Sequence, residues 1–405
     1  MRTLCIVDPA LKDFVGHHYE YARCLYECAE TRGEPIVILG HRRPAEQLSK
    51  SLPVERVFRR SPYEFPTTVP VLRDVVNPNL QNYLFFEDLR RAMRGRCSPE
   101  WIVFAPAMTH NQVFGWSAWL QTMKPDVCPT VVLCTRNSYC HQPDPAHYEK
   151  RAYYMQLGFK WLERLADSGR RVHLTTDSER LALEFSRLTR LPMAILPTPH
   201  TKRGGRPKQT PNAAPKFVWL GGIRTDKGFP AFAEAVLSLE PELRSGCIEF
   251  VIQSNLDSLY DTETAAARDR LKSAALPGVT LIERPLGGEE YTELLFSSSV
   301  VVIPRLLRLF RSQTSGPFVE ALAAGKPVVT TEGSWMADQL NRHGAGLTFK
   351  DQDAVSLAEA MRTLARNHEE FRIRAEHSSE AWASIHNPDR LYDILHSAGT
   401  TMKGL

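Results

Sequence analysis

Short runs of apolar and β-branched residues alternate, along almost the whole chain, with longer segments in which apolar residues recur at helical spacing. This alternation predicts an α/β fold, in which parallel strands are connected by helices. In the first half the expected strands are 4–7, 35–39, 101–105, 130–134, 171–175 and 194–196. In the second half they are 217–220, 248–252, 279–282, 300–303, 327–330 and 346–349. Two Rossmann-like domains facing a central cleft are therefore expected.

The two series of strands are separated by a segment without periodic apolar residues. Between Pro197 and Pro215 the chain is rich in proline, glycine and basic residues, which is typical of a linker. The predicted division is a first domain at 1–197, a linker at 198–215 and a second domain at 216–375. From about residue 354 the strand pattern is missing, and two or three helices are expected, the final one near 389–397. Residues 376–405 form the last predicted segment.

The composition indicates an ordinary globular chain of 405 residues, with 43% hydrophobic and 24% charged residues and a formal charge of +4. Neither a signal-peptide pattern nor an apolar run of about 18 residues occurs, so a cytoplasmic protein is expected. Eight cysteines without paired spacing are expected to be reduced. Cys24 with Cys28, and Cys140 with His141, were weighed as metal ligands, but core burial explains them better.

Two stretches near the N-terminus are locally basic. They comprise Arg42, Arg43, Lys50, Arg56, Arg59 and Arg60, and then Arg90, Arg91, Arg94 and Arg96. Such patches are able to hold a protein against an anionic membrane surface or a lipid-phosphate acceptor, and they also occur as solvated faces. Peripheral membrane contact and a solvated face both stay open, while no nucleic-acid partner is expected.

The loop from Leu220 to Gly228 follows the first strand of the second half and precedes a helix. Gly222 allows close approach of the backbone, and Arg224 and Lys227 bring two cations to one loop. This combination suits a diphosphate. An exposed turn with incidental charges is the alternative.

A second loop and helix, from Ser312 to Val329, has the features of an anion-binding helix N-terminus. Hydroxyl groups precede a glycine and a helix-starting proline, and a carboxylate follows one turn later. The residues concerned are Thr314, Ser315, Gly316, Pro317, Phe318 and Glu320. Glu320 is suited to accept hydrogen bonds from ribose hydroxyls, or it merely complements the helix dipole.

A third loop, from Asp8 to His18, follows the first strand of the chain. It contains Gly16, His17 and His18 directly before a helix. The glycine alone is weak support for a binding loop, because many such loops contain one. The histidines are suited to proton transfer or to contact with an acceptor.

These features resemble the retaining glycosyltransferases of the GT-B fold, in particular the family-4-like enzymes known as glycosyl transferases group 1. The resemblance rests on the glycine-containing first loop, on Gly221 to Gly228, and above all on Gly316 to Val329. It implies a nucleoside diphosphate sugar as donor. Arg224 and Lys227 would bind its diphosphate, Glu320 its ribose, and the amides near Gly316 and Phe318 its phosphates.

Further roles follow from the same resemblance. His110 would lie near the donor sugar, and residues 376–405 would pack back on the first domain. Arg136, after the next strand, is a further candidate for contact with acceptor or phosphate, and a surface loop arginine is the alternative. Gly16 and His17 would belong to the donor side and His18 to the acceptor side. Transfer would proceed with retention and without a metal or other cofactor, in glycan or polysaccharide biosynthesis.

Two departures from the family pattern keep alternatives open. The family has two glutamates separated by seven residues, and Ser312 stands where the first is expected. Gly222 stands where many members have arginine, and Arg224 would take that role. A catalytically silent nucleotide-sugar-binding subunit and a sugar-nucleotide epimerase or hydrolase are the alternatives. The donor base, uridine or guanosine, and the acceptor, a glycan, a lipid-linked intermediate or a small molecule, are not determined.

Overall fold

The computed structural model describes residues 2–14, 16–64, 70–140, 149–199, 214–257 and 261–398, with only the backbone described at 70–75. The chain divides into two compact units. The N-terminal unit comprises Met1–His200 together with Asn387–Leu405, and the C-terminal unit comprises Thr201–His386. Most of the predicted linker, residues 200–213, lies outside the described residues.

The N-terminal unit is built on a seven-stranded parallel sheet with the order β3-β2-β1-β4-β5-β6-β7. Its strands are β1 Thr3–Val7, β2 Ile36–His41, β3 Val54–Phe58, β4 Trp101–Ala105, β5 Thr130–Cys134, β6 Val172–Thr176 and β7 Met193–Ile195. The intervening helices are α1 His17–Arg32, α2 Glu46–Ser51, α3 Pro70–Ala92, α4 Val113–Gln121, α5 Lys150–Asp167 and α6 Glu179–Phe185. A single 3₁₀ turn covers Pro125–Val127.

The C-terminal unit contains a six-stranded parallel sheet with the order β10-β9-β8-β11-β12-β13. Its strands are β8 Lys216–Trp219, β9 Glu249–Gln253, β10 Val279–Ile282, β11 Val300–Ile303, β12 Val328–Thr331 and β13 Gly346–Phe349. The helices are α7 Phe229–Leu237, α8 Glu240–Arg244, α9 Thr262–Ser273, α10 Gly288–Ser297, α11 Leu307–Phe310, α12 Gly316–Ala323, α13 Trp335–His343, α14 Ala354–Arg366 and α15 His368–Ile385. A 3₁₀ turn covers Thr225–Lys227. The predicted α/β class is confirmed.

Both sheets are covered by apolar clusters on their two faces, which explains why their strands read as continuous apolar runs. In β1, Cys5 packs into the cluster on one face and Leu4 into the cluster on the other. In β8, Phe217 packs into the cluster on one face and Val218 into the cluster on the other.

Strand β3, which the apolar pattern did not predict, is an edge strand with an exposed charged residue, Arg56, at its centre. Charged residues suit an edge because they oppose further strand pairing.

The final helix, α16 Pro388–Ser397, belongs to the N-terminal unit and packs against α1. Its Tyr392 hydroxyl donates a 2.6 Å hydrogen bond to Glu34, and Arg32 lies 3.0 Å from Asp389. The predicted boundary at 375/376 falls inside α15, which counts with the C-terminal unit. Trp382 of α15 explains this difference, because its indole is buried there and donates to the Val319 carbonyl at 3.0 Å. Only the segment from Asn387 onward returns to the N-terminal unit.

Within the ranges that the structure describes, no helix combines the length and the apolar character needed to cross a bilayer.

Candidate functional site

Each parallel sheet has one place where the strand order reverses. In the C-terminal unit it lies between β8 and β11, and in the N-terminal unit between β1 and β4. Loops leaving the carboxyl ends of two such strands diverge and leave a crevice, which is where ligands of open α/β sheets bind. The loop with Arg224 and Lys227 follows β8, and the loops with His18 and His110 follow β1 and β4. The predicted residues therefore lie at the ligand-binding edges of their own sheets.

The two cations in the loop after β8 are each paired with a neighbouring carboxylate. The Arg224 guanidinium donates two hydrogen bonds to Asp226, at 2.7 and 2.9 Å. Lys227 Nζ donates to Asp257 at 2.7 Å and to the Gly222 carbonyl. Burial, followed by the charge of Arg305, lowers the pKa of Lys227 to about 8, although Asp257 acts in the opposite direction. The amine is thus mainly charged at neutral pH and close to its titration range.

Gly222 lies in a position that has no room for a side chain. A Cβ there would be 1.8 Å from Asp257 Oδ1 and 2.8 Å from Asn255 Nδ2. A side chain at position 222 would therefore require Asp257, whose carboxylate holds Lys227, to move. Asp257 was missed from the sequence because it follows β9, about thirty positions further along the chain than the loop that it supports.

Helix α12 begins as predicted, with Ser315 as its N-cap residue and Pro317 in its first turn. The first helical bond runs from the Val319 amide to the Ser315 carbonyl at 3.0 Å. The amides of Gly316 and Phe318 precede that bond and are suited to receive an anion. Ser315 Oγ is buried and has no hydrogen-bond partner among the described residues. Thr314 directly precedes this cap.

Two predicted residues of α12 have distinct environments. The Phe318 ring is fully buried and packs edge-on against Trp335 and Trp382, so only its backbone is available to a ligand. The Glu320 carboxylate is partly exposed and accepts a hydrogen bond from the Tyr291 hydroxyl. Tyr291, on α10, was not predicted. At the position of the absent first glutamate, Ser312 is 8% exposed.

The N-terminal loop brings a histidine against a buried carboxylate. His18 Nδ1 lies 2.7 Å from Asp8 Oδ2, and the Asp8 side chain is 3% exposed. The rings of His17 and His18 are 4.1 Å apart. Gly16 has a φ of 76° at the start of α1, a backbone conformation that glycine adopts without strain. Asp8 was part of the predicted loop, but its role as the partner of His18 was not predicted.

His110 is 9% exposed and lies in a turn that hydrogen bonds from neighbouring elements hold in place. Asn82 of α3 donates to the His110 carbonyl at 2.9 Å, and the His110 amide donates to the Tyr139 hydroxyl at 3.1 Å. Burial, followed by the charge of Arg151, lowers the pKa of His110 to about 4. The imidazole is therefore neutral at physiological pH, so it is available as a hydrogen-bonding group rather than as a cation.

Arg136 follows β5 and is largely buried. Its Nε donates to Asp177 Oδ2 at 2.6 Å, and its guanidinium lies 4.8 Å from the centre of the Tyr21 ring. The predicted contact with acceptor or phosphate therefore involves a cation that is already paired. Nη1 is buried and makes no hydrogen bond within the described ranges.

Half of the basic residues in the two stretches pair with carboxylates. Arg59 lies 2.8 Å from Asp88, and Arg96 lies 2.8 Å from Glu55. Lys50 pairs with Glu46, and Arg90 and Arg91 both pair with Glu87. These pairs reduce the net charge of the patches, and membrane contact stays a prediction.

All eight cysteines are free thiols, and Cys24 and Cys28 are buried, as expected for core residues. His141, weighed as a metal ligand beside Cys140, lies outside the described residues. In the described part of the chain, no three His, Cys, Asp or Glu side chains form a group suited to a metal ion.

Comparison with known proteins supports the assignment of the C-terminal unit. Residues 214–367 match the family model of glycosyl transferases group 1. No curated protein sequence matches the chain.

Solved structures resemble the chain over nearly its full length. Sucrose-phosphate synthase from Thermosynechococcus elongatus has a TM-score of 0.70 at 12% identity, covering 97% of this chain and 96% of its own. HepE from Anabaena in complex with UDP-glucose has a TM-score of 0.66 at 12% identity, covering 98% of both chains. WaaG, a glycosyltransferase involved in lipopolysaccharide biosynthesis, has a TM-score of 0.64 at 14% identity, covering 97% of this chain and 99% of its own. The chain thus has the GT-B fold, and its residues 214–367 are similar to the glycosyl transferases group 1.

Proposed function

We propose that the protein is a retaining glycosyltransferase that moves a sugar from a nucleoside diphosphate sugar to an acceptor hydroxyl, without a metal ion. The observation that carries this proposal is the position of Arg224 and Lys227 where the strand order reverses in the C-terminal unit. Two cations at the carboxyl end of β8 suit a diphosphate. HepE, which shares the fold, was crystallised with UDP-glucose.

In this proposal the C-terminal unit binds the donor through three groups. Arg224 and Lys227 bind the diphosphate, and the first amides of α12 add the partial positive charge of a helix N-terminus. Glu320, oriented by the Tyr291 hydroxyl, accepts hydrogen bonds from the ribose. These groups are already oriented in the folded protein, so they stabilise negative charge on the leaving diphosphate as the glycosidic bond breaks, without further reorganisation.

The bond to the anomeric carbon breaks as the acceptor oxygen attacks the same face of the sugar, and the leaving phosphate accepts the acceptor proton. Such a front-face reaction retains the anomeric configuration and needs no protein nucleophile. His110, as a neutral imidazole, is suited to hydrogen-bond a sugar hydroxyl. His18 beside Asp8 is suited to bind an acceptor hydroxyl. A glycan, a lipid-linked saccharide and a small metabolite are all acceptors of suitable chemistry.

The test follows nucleoside diphosphate release from UDP- and GDP-sugars, with water or simple saccharides as acceptors, and determines the anomeric configuration of the product by NMR. We expect slow release with water, faster release with an acceptor, and retention. Arg224→Ala should lower turnover at least about 100-fold. Arg244→Ala is the matched control, because Arg244 is also paired with a carboxylate but lies on an exposed helix.

Other outcomes would assign the protein differently. Inversion at the anomeric carbon would refute the front-face mechanism. Donor binding without any turnover would indicate the silent binding subunit that the serine at position 312 suggests. Release of free sugar at a rate that no acceptor changes would indicate a hydrolase, and an altered but uncleaved sugar nucleotide would indicate an epimerase.

A further inference from the structure

Arg305 lies in the loop next to the one that carries Arg224 and Lys227. It follows Ile303 and Pro304 at the carboxyl end of β11, and β11 pairs directly with β8. The three cations therefore lie at the same carboxyl edge of the sheet, where its strand order reverses.

The backbones of the two loops are joined closely. The Leu306 amide donates to the Asp226 carbonyl at 3.2 Å. Gly228 packs so tightly that a Cβ at this residue would lie 1.7 Å from the Pro304 carbonyl oxygen. Arg305, between Pro304 and Leu306, is thus fixed against the loop that carries the two predicted cations.

The charges of the crevice show what Arg305 adds. Arg224 is paired with Asp226, and Lys227 is paired with Asp257. These two cations and two carboxylates together are neutral. Arg305 adds a third cation, and the Asp261 carboxylate, which accepts hydrogen bonds from the Thr225 amide and hydroxyl at 2.7 Å, adds a third negative charge beside the same loop. Arg305 differs from the other two cations because no carboxylate of the described residues forms an ion pair with it, and an unpaired cation attracts a polyanion more strongly than a paired one.

The Arg305 guanidinium is also the cation whose hydrogen bonds are left open. Its Nε is buried without a hydrogen-bond partner, and among the described residues no carboxylate lies within ion-pair distance. The guanidinium lies 5.1 Å from the centre of the Phe310 ring. Burial, followed by the charge of Arg224, lowers its pKa to about 10, although Asp226 and Asp257 oppose this change. Arg305 as a whole is partly exposed, so its buried Nε is a donor that an approaching anion is able to satisfy.

We propose that Arg305 binds the diphosphate of the donor and supplies the unpaired positive charge that makes this site selective for nucleoside diphosphates over nucleosides. This inference rests on the proposed function, since it assigns a third cation to the same donor site. The planar guanidinium is suited to pair with two phosphate oxygens at once, and its contact with Phe310 holds it ready in the ligand-free protein.

The experiment measures the dissociation constants of UDP, GDP, uridine and guanosine by calorimetry for the wild type, Arg305→Met, Arg305→Lys and Arg308→Met. Arg308 is the matched control, because it is an exposed arginine three positions further along the same segment. For the diphosphate that the wild type binds, Arg305→Met should raise the dissociation constant about 10- to 100-fold. Arg305→Lys should lose less affinity for the diphosphate than Arg305→Met, and the affinity of Arg308→Met should equal that of the wild type. Binding of the nucleoside should not change.

A second measurement separates binding from packing. If Arg305 serves the ligand, Arg305→Met leaves the thermal midpoint of the ligand-free protein unchanged or raises it, because a buried Nε donor without a partner is removed. Wild-type affinity of Arg305→Met for the diphosphate would overturn the inference and leave the proposed function intact. A loss of equal size for nucleoside and diphosphate, with a lower midpoint, would also overturn it, by showing a packing role. Absence of diphosphate binding in the wild type itself would refute the proposed function and this inference with it.

Discussion

Among single residues, the lysine of the proposed diphosphate site gives the first prediction, because burial lowers its pKa toward neutrality. The pKa of Lys227 is lowered to about 8, first by burial and then by Arg305 and Arg224, while Asp257 favours the charged form. An anionic ligand binds the protonated amine. Affinity is therefore full below this pKa and decreases as the pH rises through it.

We predict that the affinity for the diphosphate falls between about pH 7 and about pH 9, approaching tenfold per pH unit above the pKa of Lys227. Calorimetry over this range measures the change. Lys227→Arg is the matched variant, because its guanidinium stays charged throughout. An equal decrease in the wild type and in Lys227→Arg would show that another group, such as the nucleotide base, causes it.

The residues that sequence reasoning found and those that it missed differ in one respect. Arg224, Lys227 and Glu320 lie in contiguous motifs, so the order of residue types along the chain was sufficient to find them. Arg305 and Asp257 join the same site from other strands, and only the strand order brings them together. A cation directly after an apolar strand was the available signal for Arg305.

At the scale of elements, the two loops of the crevice depend on a glycine in the left-handed region. Gly228 has a φ of 80°, and a Cβ there would meet the Pro304 carbonyl oxygen at 1.7 Å. Gly246, in the same unit, has a φ of 71° with open space around the position of a Cβ. Alanine at Gly246 would therefore introduce backbone strain alone, whereas alanine at Gly228 would introduce both strain and a steric clash.

Gly246→Ala should cost about 1–2 kcal/mol of unfolding free energy, which is the strain of the left-handed conformation alone. Gly228→Ala should cost more, because its methyl group also forces the loops apart, and it should weaken diphosphate binding while Gly246→Ala does not. Urea unfolding and calorimetry measure the two effects. Equal costs and unchanged affinity in both variants would contradict the proposed role of the loop contact.

Helix α16 gives a prediction for the N-terminal unit. Leu391 is fully buried among residues of that unit, so Leu391→Ala should lower the free energy of unfolding by about 2–5 kcal/mol. Ile373→Ala on α15 is the control, because Ile373 is 54% exposed and its truncation should cost little. Thermal and urea unfolding followed by circular dichroism measure both. Similar small effects for the two variants would show that α16 does not contribute to this core.

Most elements were predictable because parallel strands buried on both faces produce continuous apolar runs. All six strands of the C-terminal unit were expected within about a residue of their observed positions. Strand β3 was missed because its charged residues suit an edge position and hide the apolar pattern. The predicted domain boundary at 375/376 differs from the observed division after His386. Helical periodicity does not reveal whether Trp382 packs in the core of the C-terminal unit or in that of the N-terminal unit.

At the scale of the whole molecule, the fold and the family assignment have different extents. The GT-B fold covers nearly the full chain, whereas the match to glycosyl transferases group 1 covers residues 214–367. The proposed donor site lies in the C-terminal unit, which contains the segment that matches the family model. The roles of His110, His18 and Arg136 stay predictions that acceptor identification has to test.

The central claim is that the C-terminal unit binds a nucleoside diphosphate sugar at the crevice between β8 and β11. Its most direct test is calorimetric titration of the whole protein with UDP, GDP and their sugars, alongside Arg224→Ala and Glu320→Ala. We expect tight binding of one nucleotide series, lost or strongly weakened in both variants. Failure of the wild type to bind any of these nucleotides, or full affinity in both variants, would contradict it.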